Sequence, residues 1–182
     1  MKAEVSNTIR VGNKNFHLSI SSEKIQQVVS EIAAKMNEEL KDKKPVFISV
    51  LNGSFLFAAD LLKKLNFECE ITFVKLSSYN GTTSSGKIKE LIGLNEDVKG
   101  RTVVVIEDIV DTGVTLESIF NQLSEKGATE IKIATLLFKP NAYTKKIKID
   151  YVGMEVANDF LIGYGLDYNG MGRNLNDIYV AV

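Results

Sequence analysis

Apolar and polar positions change period several times along the chain, and each change marks an element. Between residues 8 and 20 the pattern alternates loosely around Ile9, Val11, Phe16, Leu18 and Ile20, with Gly12-Asn13 as a turn, which predicts a short hairpin arm. From Ser21 or Ser22, either able to cap a helix, apolar residues recur at Ile25, Val28, Val29, Ile32, Met36 and Leu40. That spacing is one face of an amphipathic helix, and Lys41 to Lys44 is its polar exit. Val46 to Leu51 reads as a first central strand, Asn52-Gly53-Ser54 as a tight turn, and Phe55 to Leu62 as a second helix. A second strand over about Glu70 to Leu76 leads into the polar stretch Ser77 to Lys89, which carries neither a helical nor a strand period. A polar segment of that length inside a domain is more often functional than incidental.

The run Val103-Val104-Val105-Ile106 is β-branched throughout and reads as a strand buried on both faces. It ends at two adjacent acids, Glu107 and Asp108, and closes on the turn Asp111-Thr112-Gly113-Val114-Thr115. A helix follows to Lys126, with Gly127 as its stop. Glu130 to Phe138 is another strand, and Tyr151 to Val156, Phe160 to Tyr164 and Ile178 to Val182 are shorter ones. Strands alternating with helices predict an α/β fold, a mostly parallel central sheet flanked by helices. The loop-rich stretch Phe160 to Asn176 is expected to form a small hood beyond the end of that sheet.

Length changes this picture only by predicting a single domain over residues 1–182, with a hood made of the N-terminal arm and about residues 140–182. Hydrophobic residues at 45% and charged residues at 25% are ordinary for globular proteins, which argues against disorder. A formal net charge of −1 gives no general attraction to nucleic acid, and none is expected as a partner. Cys69 is the only cysteine, so an internal disulfide and a Cys-rich zinc site are excluded; it reads as a small buried hydrophobe or a loosely packed surface thiol. The N-terminal residues lack a signal-peptide core and no apolar run approaches the roughly 18 residues of a membrane span, so a cytoplasmic protein with no membrane partner is expected.

Two stretches carry candidate chemistry. Gly81 to Lys87 has the glycine and lysine spacing of a P-loop, but Ile88 stands where a hydroxyl is needed for Mg²⁺, and no helix start follows. A lid with Lys87 near an anion, or an ordinary solvated loop, fits it better. The Glu107-Asp108 pair, taken alone, is equally an acidic strand end in solvent. The turn after it raises its standing, because Asp111, Thr112, Gly113 and Thr115 can aim backbone N–H groups and hydroxyls at a phosphate on the helix N-terminus. Acid and phosphate site side by side suit a phosphorylated ribose.

Val104 to Thr115 resembles the phosphoribosyl-pyrophosphate motif of type I phosphoribosyltransferases: an apolar run, two acids, two variable residues, Asp-Thr-Gly and a further Thr. Leu51-Asn52-Gly53-Ser54 resembles the family's pyrophosphate loop, Lys75-Leu76-Ser77-Ser78-Tyr79 the start of its flexible catalytic loop, and Phe160 to Arg173 its purine hood. The spacing from Gly163 through Asp167 to Arg173 is similar to the hypoxanthine (hypoxanthine-guanine) branch rather than the adenine or orotate enzymes.

That resemblance implies the type I phosphoribosyltransferase fold and the making of IMP from hypoxanthine, and GMP from guanine, using phosphoribosyl pyrophosphate and Mg²⁺. It implies that Glu107 and Asp108 hold ribose hydroxyls and metal waters, with Asp167 as a further metal ligand. Asp111, Thr112, Gly113 and Thr115 hold the 5′-phosphate, and Asp111 is the candidate general base or acid at purine N7. Asn52, Gly53 and Arg173 bind pyrophosphate, although Asn52 departs from the lysine of many relatives. Lys139 donates to the purine 6-oxo group, Phe160 stacks on the base, Leu161 offers its backbone, and Asp167 completes the purine side; Ser78 and Tyr79 belong to the flexible loop. As isolated residues, Lys139 reads as a solvated strand-end lysine, Phe160 and Leu161 as core, Asp167 as a turn acid and Arg173 as a surface ion pair. His17, the only histidine, lies on the N-terminal arm, which leaves carboxylate chemistry at Asp111. The resemblance also implies a homodimer or homotetramer. Competing expectations are a xanthine-preferring transferase, and a regulator that senses phosphoribosyl pyrophosphate while binding nucleic acid.

Overall fold

The computed structural model describes residues 7–78, 88–93 and 96–182. Its order is β1 (Thr8–Val11), β2 (Lys14–Ile20), α1 (Ser22–Glu39), β3 (Val46–Leu51), α2 (Phe55–Leu62), β4 (Glu70–Ser78), β5 (Ile88–Ile92), β6 (Thr102–Val110), α3 (Val114–Glu125), β7 (Glu130–Phe138), β8 (Tyr151–Glu155), β9 (Leu161–Ile162) and β10 (Ile178–Ala181). Ser21 is the N-cap of α1, its hydroxyl accepting from the Lys24 backbone N–H at 3.4 Å. The apolar stripe read from sequence is the buried face, with Ile25, Val28, Val29, Ile32 and Met36 inside.

The main sheet has the order β5-β4-β3-β6-β7-β8. Pairing is parallel from β4 to β8, and β5 alone is antiparallel. Strands β3 and β6 sit in the middle, which explains their unbroken apolar runs: alternate residues serve two cores. On one face Phe47, Val104 and Ile106 meet Ile25, Val29, Phe57 and Leu61 of α1 and α2. On the other, Val46, Ile48, Val103 and Val105 meet Leu116, Ile119 and Leu123 of α3.

Two expectations are corrected. Ser77 to Lys89 is not free of strand, since Ser77 and Ser78 end β4 and Ile88 and Lys89 open β5, which pairs with them. The acids Glu107 and Asp108 do not follow the strand but lie within it, because β7 keeps pairing beside them as far as Val110↔Phe138.

A second sheet, β1-β2-β10-β9, is antiparallel throughout and joins the N-terminal arm to the last strand. Phe16, Ile162 and Tyr179 form its small core, while Leu161, Tyr164, Leu166 and Ile178 belong to the main core under α1 and α2. The segment from about residue 140 thus divides: β8 extends the main sheet, and β9 onward joins the arm.

Candidate active site

From β3 the chain crosses through α2 to β4 on one side, and from β6 it crosses through α3 to β7 on the other. The sheet therefore reverses its winding between β3 and β6, and a crevice opens there at the carboxyl ends of the strands. Pairing of β3 with β6 stops at Ser49↔Ile106, while β6 runs on to Val110. Glu107 and Asp108 occupy the stretch of β6 that has outrun its neighbour.

Glu107 is 7% exposed, and burial, with the Asp108 charge second, holds its carboxyl well above the usual carboxylate range. Burial also pushes Asp108 up to about 6, even though its Oδ1 accepts the Ile109 N–H at 2.8 Å and the Arg173 charge opposes the shift; Asp167 adds to it. The Asp108 carboxylate fills the space that a Cβ at Gly53 would need, so only glycine fits that position of the β3–α2 turn. The Leu51-Asn52 peptide in this turn is cis, Asn52 is exposed, and Ser54 is buried with its hydroxyl 2.6 Å from Ser49 Oγ.

A cleft of about 280 Å³ is lined by Leu51, Gly53, Glu107, Asp108 and the loop Asp111 to Leu116. At its floor α3 begins after Gly113, which has φ +82° and supplies no side-chain cap. The first-turn N–H groups thus face the cleft without a capping side chain, the arrangement that receives an anion. A Cβ at Gly113 would stand 2.5 Å from the Tyr143 ring and 2.8 Å from Lys145 Cγ. Tyr143 and Lys145 support the loop from beneath, and Thr144 braces it by donating to the Thr112 carbonyl at 3.4 Å from N and 3.2 Å from Oγ1. Lys145 in turn pairs with Glu117 of α3 at 2.7 Å. Sequence reasoning missed these supports, because nothing local to residues 143–145 signals a contact about thirty residues away.

A second cleft, about 230 Å³, is lined by Asp108, Ile109, Asp111, Lys139, Phe160, Leu161, Leu166 and Asp167. It shares Asp108, Ile109 and Asp111 with the first. Lys139 is not the solvated lysine its strand-end position suggests: it is 9% exposed, and its Nζ lies 3.2 Å from Asp111 Oδ2. Phe160 is not core either, being 47% exposed. Its ring packs tilted on Phe16 at 6.5 Å and edge-on to Tyr168 at 5.9 Å, with Lys14 Nζ 5.7 Å from its centroid. Lys14 and Tyr168 were likewise not singled out from sequence. Leu161 is buried, and its backbone is oriented by pairing: Ala181 N–H donates to Phe160 O at 3.0 Å, and Ile162 pairs with Tyr179. Alternation along an antiparallel strand therefore turns the Leu161 N–H and C=O away from β10, toward the open edge of β9.

Asp167 accepts the Gly170 N–H at 2.6 Å and pairs with Arg173 Nη2 at 2.5 Å. Arg173 also donates from Nη1 to the Gly165 carbonyl at 2.6 Å. Glu107, Asp108 and Asp167 are oxygen donors of the kind Mg²⁺ takes, and a cation there would offset the burial of the first two. Among the described residues no three His, Cys, Asp or Glu side chains cluster as a metal cage. Mg²⁺ is commonly held by one or two carboxylates together with substrate oxygens. Of the flexible-loop residues, Ser78 ends β4, while Tyr79 and the Gly81 to Lys87 stretch lie outside the described residues.

Residues 20–169 match the family described as phosphoribosyl transferase domain. Hypoxanthine-guanine phosphoribosyltransferase of Bacillus subtilis is 44% identical over 157 residues, spanning 86% of this chain and 87% of that protein. The chain belongs to the hypoxanthine-guanine phosphoribosyltransferase family. Within it, the chain is also 40% identical over 170 residues to the bifunctional protein TilS/HprT of Listeria monocytogenes, spanning 90% of this chain but only 26% of that longer protein. A hypoxanthine phosphoribosyltransferase structure from Staphylococcus aureus superposes with a TM-score of 0.86 at 35% identity, covering 91% of each chain. The parallel sheet flanked by helices is thus this family's fold, as the sequence pattern predicted. Among the described residues, no helix is long and apolar enough to cross a membrane.

Proposed function

We propose that the chain transfers the 5-phosphoribosyl group from phosphoribosyl pyrophosphate to N9 of hypoxanthine, and of guanine, giving IMP or GMP and pyrophosphate. The observation that carries this reading is the pair of clefts meeting at Asp108, Ile109 and Asp111, one floored by an open helix N-terminus and the other closed by Lys139 and Phe160. A phosphate in the first and a purine in the second put C1 of the ribose at their common wall.

The loop from Asp111 to Thr115 holds the 5′-phosphate through backbone N–H groups and the Thr112 and Thr115 hydroxyls. Glu107 and Asp108 hold the ribose hydroxyls. Phe160 stacks on the base, the outward Leu161 backbone meets its Watson–Crick edge, and Lys139 donates to O6. An ammonium donates only, which favours 6-oxo over 6-amino purines. As the C1–O bond breaks, the pyrophosphate leaves with the bonding pair and N9 bonds to C1, while Asp111 takes the N7 proton. Arg173 and the Asn52-Gly53 turn receive the departing charge. Glu107 and Asp108, with Asp167 on the hood side, would offer oxygens to Mg²⁺ beside those of the substrate, and the bound ion would supply charge neutralisation for pyrophosphate.

Steady-state assays with hypoxanthine, guanine, xanthine and adenine test the reading. Pyrophosphate release with hypoxanthine and guanine is expected; none with any 6-oxopurine would sink it. We further assign a cytoplasmic homodimer or homotetramer. Ile71 and Phe73, on the face of β4 shared with Phe47 and Ser49, are exposed along with Phe55 of α2, which supports association, and light scattering measures it.

A further inference from the structure

The hood carries Arg173 and Asp167, and the main domain carries Gly53 and Asp108. One side chain outside both clefts helps tie these halves together, beside the Ser22 N–H bond to Asp177 and the packing of Leu161, Leu166 and Ile178 into the main core. Asp60, in the last turn of α2, accepts at one oxygen, Oδ2, from the Tyr164 hydroxyl at 2.7 Å and from Gln26 Nε2 of α1 at 2.5 Å. Its other oxygen pairs with Lys63 at 2.7 Å. These bonds hold the Asp60 carboxyl below the usual range against the opposing effect of burial, which is the largest single influence on it, while burial first and Asp60 second hold the Tyr164 hydroxyl far above its own. Tyr164 is buried, and it has φ +47°, a conformation that a non-glycine residue keeps only where its surroundings enforce it.

The residue after it transmits the position. Gly165 sits so close to the Gly53 carbonyl that a Cβ there would overlap it. Gly165 also donates its N–H to Arg173 O at 2.9 Å and receives Arg173 Nη1 on its carbonyl at 2.6 Å. A line of contact therefore runs from Asp60 through Tyr164 and Gly165 to both the β3–α2 turn and the hood arginine. We infer that Asp60 is a positioning residue, using the Tyr164 hydroxyl to set the spacing between Gly53 and Arg173 and hence the affinity of the pyrophosphate side of the site. This rests on the proposed transferase reading.

The test compares Asp60→Ala, Asp60→Asn, Tyr164→Phe and Lys63→Ala by steady-state kinetics, with the wild-type assay establishing the activity independently. Asp60→Ala and Tyr164→Phe should raise KM for phosphoribosyl pyrophosphate roughly tenfold, the scale of one lost charge-assisted hydrogen bond. KM for hypoxanthine and kcat should stay within about threefold. Asn at position 60 can present its one carbonyl to both Tyr164 and Gln26, so Asp60→Asn should restore KM to within about threefold of wild type. Lys63→Ala should do the same. Should Asp60→Ala not fold, Tyr164→Phe against Asp60→Asn carries the comparison, since the ring still packs. The inference is overturned if Tyr164→Phe leaves KM for phosphoribosyl pyrophosphate within twofold of wild type, if both KM values rise together, or if Asp60→Asn is as impaired as Tyr164→Phe.

Discussion

Lys139 Nζ stands 3.2 Å from Asp111 Oδ2, the cation almost wholly buried and the carboxylate half open to the clefts. In the proposed reading a purine lies against the pair with O6 facing the lysine and N7 facing the acid, so that a donor and an acceptor read one edge of the base. Replacing Lys139 by Gln, which presents both a donor and an acceptor, should lower kcat/KM for hypoxanthine by about ten- to a hundredfold and narrow its margin over adenine. Competition assays between the two bases measure that margin; an unchanged ratio would remove Lys139 from base selection.

In the proposed mechanism, Asp111→Asn removes the proton acceptor at purine N7 while keeping a side chain of the same size. Turnover should fall by roughly two or more orders of magnitude, with phosphoribosyl pyrophosphate binding retained. Calorimetric titration alongside single-turnover kinetics separates the two effects. Near-normal turnover would leave Asp111 as a loop acid with no part in proton transfer.

The buried acids predict a pH dependence of a definite sign. Asp108 has a folded value of about 6 against an ordinary 3.8, so between these pH values the folded chain binds more protons than the unfolded one. The Asp108 contribution to the stability of the ligand-free protein should therefore fall as pH rises from about 4 to 6, with Glu107 acting in the same direction and the carboxyls held low, such as Asp60 and Glu130, in the opposite one. Asp108→Asn should abolish much of this slope and stabilise the ligand-free protein at pH 7 by about 1–2 kcal/mol, or roughly 2–8 °C in Tm. The same variant should bind Mg²⁺ and phosphoribosyl pyrophosphate more weakly. A Tm lower than wild type at pH 7 would contradict this account.

Gly113 combines a positive φ with a Tyr143 ring and a Lys145 stem against its open side. Gly113→Ala should cost about 1–3 kcal/mol and weaken phosphate binding, because the loop must lift away from Tyr143. Thermal melts with and without IMP check both effects. A companion Tyr143→Ala change should recover part of the binding but not the backbone strain.

Sequence pattern located the central architecture because the buried strands obey strict rules. Val46 to Leu51 and Glu130 to Phe138 fall where their apolar runs predict. It failed where tertiary pairing overrides local pattern. Glu107 to Val110 stay extended although half polar, since β7 continues beside them, and Ile88 to Ile92 becomes a strand by pairing back on β4. In the site, the two acids and the loop after them, which line one cleft, were legible as a unit because they are contiguous. The exposure of Phe160, the burial of Lys139 and the Tyr164–Asp60 bond, 104 residues apart in sequence, depend on how the hood folds over the sheet.

The hood sheet pairs β2 with β10, the first part of the chain with the last. A chain emerging from the ribosome in order makes β3, β6, α3 and β7 before Phe160 and Arg173 exist. The proposed base-binding wall, and the share of the main core supplied by Leu161, Tyr164, Leu166 and Ile178, arrive only with the segment from β9 to β10. A product cut short before β9 would thus lose a share of the main core along with the proposed purine wall, so that stability and binding fail together.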